Sequence, residues 1–285
     1  MTTTEGALRT EAGSPRRELS EVLVHRRTGD YHLLNLVAPT IANEARPGQF
    51  VALQPGLDRP FLLRRPFSIH RVERHGPGFG TLEIVFDVVG PGTEVLSRLR
   101  AHDTLDVLGP LGRPFTLPEE PISCLLVGGG YGIAPLFFLA EELRMRGCRI
   151  DFLVGASTTD RLFKAIEAKR LGRTAVITTD DGSSGQRGVV TDPMPALMAQ
   201  ARTQMVFACG PMPMLAAASR IAAAAGVPCQ VSVEELMGCG TGICYTCVIP
   251  MLDRNGDEPF RPARSCVEGP VLDAASIAWE KVSMS

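Results

Sequence analysis

Leu125-Leu126-Val127-Gly128-Gly129-Gly130-Tyr131-Gly132-Ile133-Ala134-Pro135 is where the grain of this sequence changes. The apolar run 122–127 reads as a buried strand, the glycines as a turn and 135–146 as a helix. Such a joint turns backbone N–H groups and a helix N-terminus toward any anion at the strand's C-terminal edge. A pyrophosphate suits that place. The spacing departs from G-x-G-x-x-G, and glycine turns also join strands to helices that bind nothing. On this ground Gly128, Gly129, Gly130, Gly132, Ile133, Ala134 and Pro135 are nucleotide-binding candidates, with plain punctuation as the alternative.

Downstream the alternation continues: strands at 149–154, 174–178 and 205–208, helices at 160–170 and 212–225. Strands alternating with helices predict a parallel, doubly wound sheet. A second strand-to-helix turn, Ala208-Cys209-Gly210-Pro211-Met212-Pro213-Met214, falls at what should be the same sheet edge. It adds Cys209, Gly210 and Pro211 to the candidates, although Pro213 is also an ordinary early-helix residue.

Upstream the texture differs. Short β-like runs at 20–26, 31–38, 49–54, 67–71, 81–89 and 104–108 are separated by turns such as Ala45-Arg46-Pro47-Gly48, Gly76-Pro77-Gly78 and Gly109-Pro110-Leu111-Gly112. That spacing predicts a six-stranded antiparallel barrel. Arg64-Arg65-Pro66-Phe67-Ser68-Ile69 opens one of its strands. An arginine there can fork onto a phosphate and a serine can hydrogen-bond a flavin ring, although a surface Arg-Arg pair before an edge strand looks the same. In Phe86-Asp87-Val88-Val89-Gly90-Pro91-Gly92-Thr93, Gly92 and Thr93 can offer donors to a second phosphate, or Thr93 can simply cap a helix.

The last segment, from about 226, loses the alternation and carries Gly238-Cys239-Gly240-Thr241-Gly242-Ile243-Cys244-Tyr245-Thr246-Cys247, with Cys266 after eighteen intervening residues. C-x4-C-x2-C…C is the spacing of plant-type [2Fe-2S] sites, so Cys239, Cys244, Cys247 and Cys266 are the expected metal ligands. Gly240 and Gly242 let the loop approach a cluster closely, and Asn255-Gly256 is a hairpin turn able to bring Cys266 back. Structural zinc also uses four thiolates, but usually from two C-x2-C-like knuckles, and Cys239 to Cys244 is too wide for one. Cys124, Cys148, Cys209 and Cys229 read as buried small side chains.

The expected divisions are a disordered leader (1–17), a barrel (18–118), an α/β domain (119–225) and a cluster domain (226–285). No apolar run reaches the ~18–20 residues that cross a bilayer, and the N-terminus has no signal-like apolar stretch. A cytoplasmic location and no membrane span are therefore expected. A net charge of −2 with three Tyr and one Trp supplies neither a basic stripe nor stacking platforms, so nucleic acid is not an expected partner.

Taken together, these motifs resemble the ferredoxin–NADP reductase superfamily, in which a flavin barrel precedes a nicotinamide domain. Arg65-Pro66-Phe67-Ser68 looks like its flavin motif, Gly128 to Pro135 like its nicotinamide loop, and Cys209-Gly210-Pro211 like its late strand-end motif. With Leu63-Arg64-Arg65-Pro66-Phe67-Ser68, Met237-Gly238-Cys239-Gly240 and Cys266-Val267-Glu268-Gly269-Pro270-Val271, the resemblance narrows to the electron-transfer subunits of class 1B dihydroorotate dehydrogenase. It implies FAD, a [2Fe-2S] cluster and NAD as mobile substrate. It also implies an FMN-containing catalytic partner in a heterotetramer of two of each, working in pyrimidine biosynthesis. A related NAD(P)H-linked subunit of a hydrogenase, sulfide dehydrogenase or ferredoxin reductase is the alternative within the same chemistry. A nucleotide-binding regulatory module with zinc or oxidant-sensing cysteines is the alternative outside it. One position departs from the superfamily: Asp87 stands where a basic residue is common, which leaves backbone contacts from Val85, Phe86 and Asp87 rather than a side-chain contact to phosphate. Ser68 and Cys209 are the residues expected to influence hydride geometry, and Arg161 is either a 2′-phosphate contact or a first-turn helix residue.

Overall fold

The structure is a computed structural model that describes residues 15–56, 61–76, 78–253 and 258–283. Most of the expected leader, the turn residue Pro77 and the Asn255-Gly256 turn lie outside the described residues.

Six strands close into an antiparallel barrel: β1 (Arg16–Thr28), β2 (Tyr31–Val37), β3 (Phe50–Gln54), β4 (Arg65–Arg74), β5 (Gly80–Phe86) and β6 (Thr104–Leu111), in the order β1-β2-β5-β4-β3-β6. The first strand starts inside the expected leader because Arg16 and Arg17 pair with Gly109 and Leu108, and the Arg17 guanidinium reaches the Asp106 carboxylate at 2.8 Å. Alternate residues Leu34, Leu36, Leu82, Ile84, Leu105 and Val107 fill the interior. Each such side chain contributes roughly 1.5–3 kcal/mol by leaving water. Strand β2 is buried on both faces, because Tyr31 and Leu33 point outward into a second core shared with the α/β domain. The expected strand 81–89 stops at Phe86, where the chain turns away from the barrel.

The α/β domain holds parallel strands β7 (Ser123–Gly129), β8 (Arg149–Ala156), β9 (Thr174–Thr179), β10 (Gln186–Arg187), β11 (Met205–Cys209) and β12 (Cys229–Ser232). The helices are Ala134–Met145, Ala165–Leu171, Met194–Ala201 and Met212–Ala224. The helix expected at 160–170 begins only at Ala165: 159–161 form a 3-10 turn and Lys164 adopts a left-handed conformation (φ 48°). That conformation carries its ammonium to the buried His70 of the barrel, 2.9 Å away. Residues 229–232 also depart from expectation. They extend the parallel sheet beyond 225, a four-residue strand too short to announce itself.

The cysteine-bearing segment leaves the sheet after β12, forms a hairpin of β13 (Val248–Leu252) and β14 (Phe260–Arg264), and returns as β15 (Val271–Asp273). Strand β15 pairs antiparallel with β12, so the sheet order is β10-β9-β8-β7-β11-β12-β15.

Barrel and α/β domain meet along a charged seam. Arg71 binds Glu141 at 2.7 Å and Glu167 at 2.5 Å, and Lys164 binds Glu167 at 3.1 Å. His70 donates from Nδ1 to the Ala134 carbonyl at 2.6 Å, which leaves Nε2 to accept from Lys164. Burial, and then the Lys164 ammonium, push the His70 imidazole down to about 3.

Candidate functional site

Sheet order reverses between β7 and β11, and the turns that follow these two strands flank the crevice where open α/β sheets bind ligands. They touch: a Cβ on Gly132 would lie 2.7 Å from the Gly210 Cα and 2.9 Å from the Cys209 carbonyl. Only two bare backbones pack this closely. A cavity of about 650 Å³ opens here, lined by Gly129, Gly130, Gly132 and Pro211. Tyr31, Tyr131, Ser157, Arg161, Asp180 and Glu234 complete its polar wall. Gly128 and Ile133 have a different task. Ile133 is fully buried in the core, and a Cβ on Gly128 would meet it at 2.4 Å, so both serve packing.

A second cavity, of about 680 Å³, is walled by all three parts of the chain. Arg65, Pro66, Phe67 and Ser68 line it from β4, and Val85, Phe86, Asp87 and Thr93 from the end of β5 and the turn beyond. Across it stand Gly132, Ala134, Pro135 and Cys209 of the α/β domain, with Met237, Gly238 and Thr246 of the cysteine loop closing one end. The two barrel motifs converge, since a Cβ on Gly92 would fall 2.6 Å from Arg65 Nε. The guanidinium thus lies against a bare backbone, with Nη1 donating to the Leu63 carbonyl at 2.8 Å. The Thr93 hydroxyl is spent inside its own turn: it donates to the Gly90 carbonyl at 3.0 Å and accepts from the Val89 and Gly90 N–H groups at 3.0 and 3.1 Å. Burial, and then the Glu234 carboxylate, raise the Cys209 thiol to about 12, so it lines the cavity uncharged.

Asp87 turns out to have a partner. Its carboxylate binds the Arg161 guanidinium, which also meets Asp30 at 3.4 Å, while the Tyr31 hydroxyl donates to the Arg161 carbonyl at 3.0 Å. Asp87 therefore joins barrel to α/β domain, and Arg161 sits in a 3-10 turn with its charge already answered.

In the cysteine loop Gly240 and Gly242 have φ of 70° and 86°, and Tyr245 also takes the left-handed region at 57°. Arg264 pins this shape by donating to the Gly242 carbonyl at 2.7 Å and lying 4.9 Å over the Tyr245 ring. The Cys239 sulfur accepts from the backbone N–H groups of Thr241, Ile243 and Cys244 at 3.2–3.4 Å, and Cys244 accepts from Cys239 N at 3.3 Å and from the Thr246 hydroxyl at 3.1 Å. Burial would raise the Cys239 thiol, but these donors outweigh it and bring it down to about 6. Cys247 and Cys266 pair with each other and pack on Phe50, Ala52 and Leu111 of the barrel. Among the described residues no three Cys, His, Asp or Glu side chains converge on one point as a single ion requires. Cys244 neighbours Cys239 and Cys247 neighbours Cys266, and a loop whose amides already point at thiolate sulfur fits an anionic cluster.

The cavity residues missed in the sequence come from afar: Tyr31 from the barrel, Asp180 from the end of β9, Glu234 from beyond β12. Tyr131, inside the quoted glycine turn, and Pro213 and Met214, inside the second quoted turn, did carry a local signal.

Residues 126–220 match the model of the oxidoreductase NAD-binding domain, and residues 234–278 match the iron–sulfur cluster binding domain of dihydroorotate dehydrogenase B. The chain is 40% identical over 243 residues to the electron transfer subunit of dihydroorotate dehydrogenase B (NAD(+)) from Desulforamulus reducens, covering 85% of this chain and 90% of that one. The subunit of the same description from Bacillus caldolyticus is 37% identical, with 90% and 95% covered. The solved NADH-dependent reduced ferredoxin-NADP oxidoreductase matches with a TM-score of 0.79 and 33% identity over 93% of this chain and 91% of its own. A ferredoxin NADP+ reductase from Neisseria gonorrhoeae, solved with FAD and NADP, shares the fold at a TM-score of 0.56 and 18% identity over 74% of this chain and 92% of its own.

Proposed function

This chain belongs to the family of electron transfer subunits of dihydroorotate dehydrogenase B, and from that premise we propose that it passes electrons from an FMN-containing catalytic partner through a [2Fe-2S] cluster and FAD to NAD+. One observation carries the reading. The second cavity is bounded on one side by the nucleotide turns and on another by the cysteine loop, so a group held there touches both ends of the route.

When bound, FAD supplies the exchange between hydride chemistry at a nicotinamide and single electrons at an iron–sulfur cluster. The chain's own residues hold and orient. Cys239, Cys244, Cys247 and Cys266 are the cluster ligands in this reading, and Arg65 with the bare backbone at Gly92 takes the flavin pyrophosphate. Ser68 and the uncharged Cys209 thiol both line the second cavity and would border a flavin ring held there without adding charge. Gly130, where a Cβ would meet nothing nearer than the Tyr31 hydroxyl at 3.8 Å, leaves room for the nucleotide pyrophosphate at the switch point, with Gly129 and Pro211 beside it. No helix among the described residues is long and apolar enough to cross a membrane. A heterotetramer of two of each subunit, in the cytoplasm, completes the proposal.

The test is co-purification of the chain with an FMN-containing dihydroorotate dehydrogenase. Dihydroorotate-dependent reduction of NAD+ by the complex, absent from either subunit alone, is the expected result. A stable complex that reduces ferredoxin but never NAD+ would overturn it in favour of a ferredoxin-linked subunit.

A further inference from the structure

The nucleotide and flavin cavities share three residues: Tyr131, Gly132 and Glu234. Gly132 contributes no side chain and has no room for one against Gly210. The divide is therefore made by two side chains, and they are joined: the Tyr131 hydroxyl donates to Glu234 Oε1 at 3.0 Å. Tyr131 comes from the turn after β7, and Glu234 from the segment leading to the cysteine loop. The Tyr131 ring leans on the Tyr31 ring, with centroids 5.5 Å apart, and Tyr31 is itself anchored through its hydroxyl to the Arg161 carbonyl. The ring has a fixed backing, whereas Glu234 is exposed and has open solvent to turn into.

Hydride transfer requires donor and acceptor atoms at roughly 3–3.5 Å, so a nicotinamide entering from the first cavity has to cross this divide. We propose that Tyr131 and Glu234 form a latch that the nicotinamide end of the nucleotide opens, and that Tyr131 then positions that ring against the flavin. The inference rests on reading the two cavities as nucleotide and flavin sites. It makes Tyr131 a positioning residue: it holds the divide closed when the nucleotide is absent and borders the nicotinamide when it is present. An exposed hydrogen bond is weak enough to open on each turnover.

The test compares NAD+ with ADP-ribose, the same nucleotide without its nicotinamide, by calorimetric titration of the cofactor-loaded complex with its catalytic partner. Only NAD+ has to open the latch. Tyr131→Phe removes the bond and keeps the ring, and NAD+ affinity is expected to rise about 2- to 10-fold while ADP-ribose affinity stays constant. Glu234→Ala breaks the same bond from the other side and should produce the same selective gain, with no further gain in the double variant. Tyr131→Leu, lacking the ring, should keep the gain in NAD+ affinity and lower kcat, a split that general destabilisation does not produce. Parallel changes for NAD+ and ADP-ribose, or unchanged NAD+ affinity in Tyr131→Phe, would overturn the latch. Failure of the unsubstituted complex to bind ADP-ribose would instead sink the nucleotide reading, and the latch with it.

Discussion

The cysteine loop and the seam between barrel and α/β domain are both built from polar groups, yet they are specified in opposite ways. Within the loop, donors and acceptors lie two to five residues apart: Thr241, Ile243 and Cys244 all serve Cys239. Across the seam, His70 meets Lys164 over 94 residues of chain and Asp87 meets Arg161 over 74. A local arrangement can be read from spacing and changed without disturbing the fold around it. A non-local one exists only once the domains have docked, and its removal is felt in stability.

The largest expected effect tests the local side. Cys247→Ser should abolish nearly all bound iron and acid-labile sulfide, measured on purified protein, whereas Cys124→Ser should leave both intact. Cys124 is buried beside Cys148 far from the loop, its thiol raised to about 12 by burial. Loss of iron in both variants would erase the distinction between ligand and core cysteines.

Next comes the contact between the two strand-end turns, which is non-local but made of backbone. Gly132→Ala forces a methyl group onto Gly210 and should cost about 1–3 kcal/mol, read as a lowered Tm together with weaker NAD+ binding. Unchanged values of both would mean that the turns separate freely.

The seam itself is expected to show in acid. An unfolded His70 takes up a proton near its ordinary pKa of 6.5, whereas the folded one resists until about 3. Below pH 6.5 the unfolded chain therefore binds the extra proton, and stability should fall with pH by up to about 1.4 kcal/mol per unit from this residue. Denaturant titrations at pH 7, 6 and 5 should show that slope, and His70→Gln should flatten it. Burial would raise the Glu167 carboxyl of the seam, but Arg71 and Lys164 outweigh it and hold it below its ordinary range, so it does not mimic the effect.

The smallest effect belongs to the front of the seam, where charge is half open to water. Asp87→Asn should lower Tm slightly, and raised salt should remove the difference from the unsubstituted protein, because exposed pairs are screened. A large, salt-independent loss would place Asp87 with the buried part of the seam.

The same contrast explains what could be read in advance. Short β-like runs set between turn residues revealed six barrel strands, and ligand spacing revealed the cysteine loop, because each is a pattern within a short window. Arg16 and Arg17 looked like solvent-facing leader, since the Asp106 that draws Arg17 into a strand lies far along the chain. Lys164 reads as a mid-helix residue, and the left-handed break there accompanies its contact with His70, 94 residues away. Asp87 and Arg161 each drew notice separately, one as a departure and one as a candidate phosphate contact. Nothing in their neighbourhoods pairs them. Gly128 and Ile133 shared a motif with true cavity residues, and only packing separates a glycine that admits a ligand from one that admits an isoleucine.

Strand β15 gives the cysteine segment a second attachment to the sheet it left at β12. The segment is thus a loop tied at both ends rather than a tail on a hinge. Held at both ends, it is expected not to swing like a shuttling carrier, and its sulfurs are expected to stay beside the neighbouring cavity. Exchange between those two points should therefore proceed at the same rate in water and in viscous glycerol.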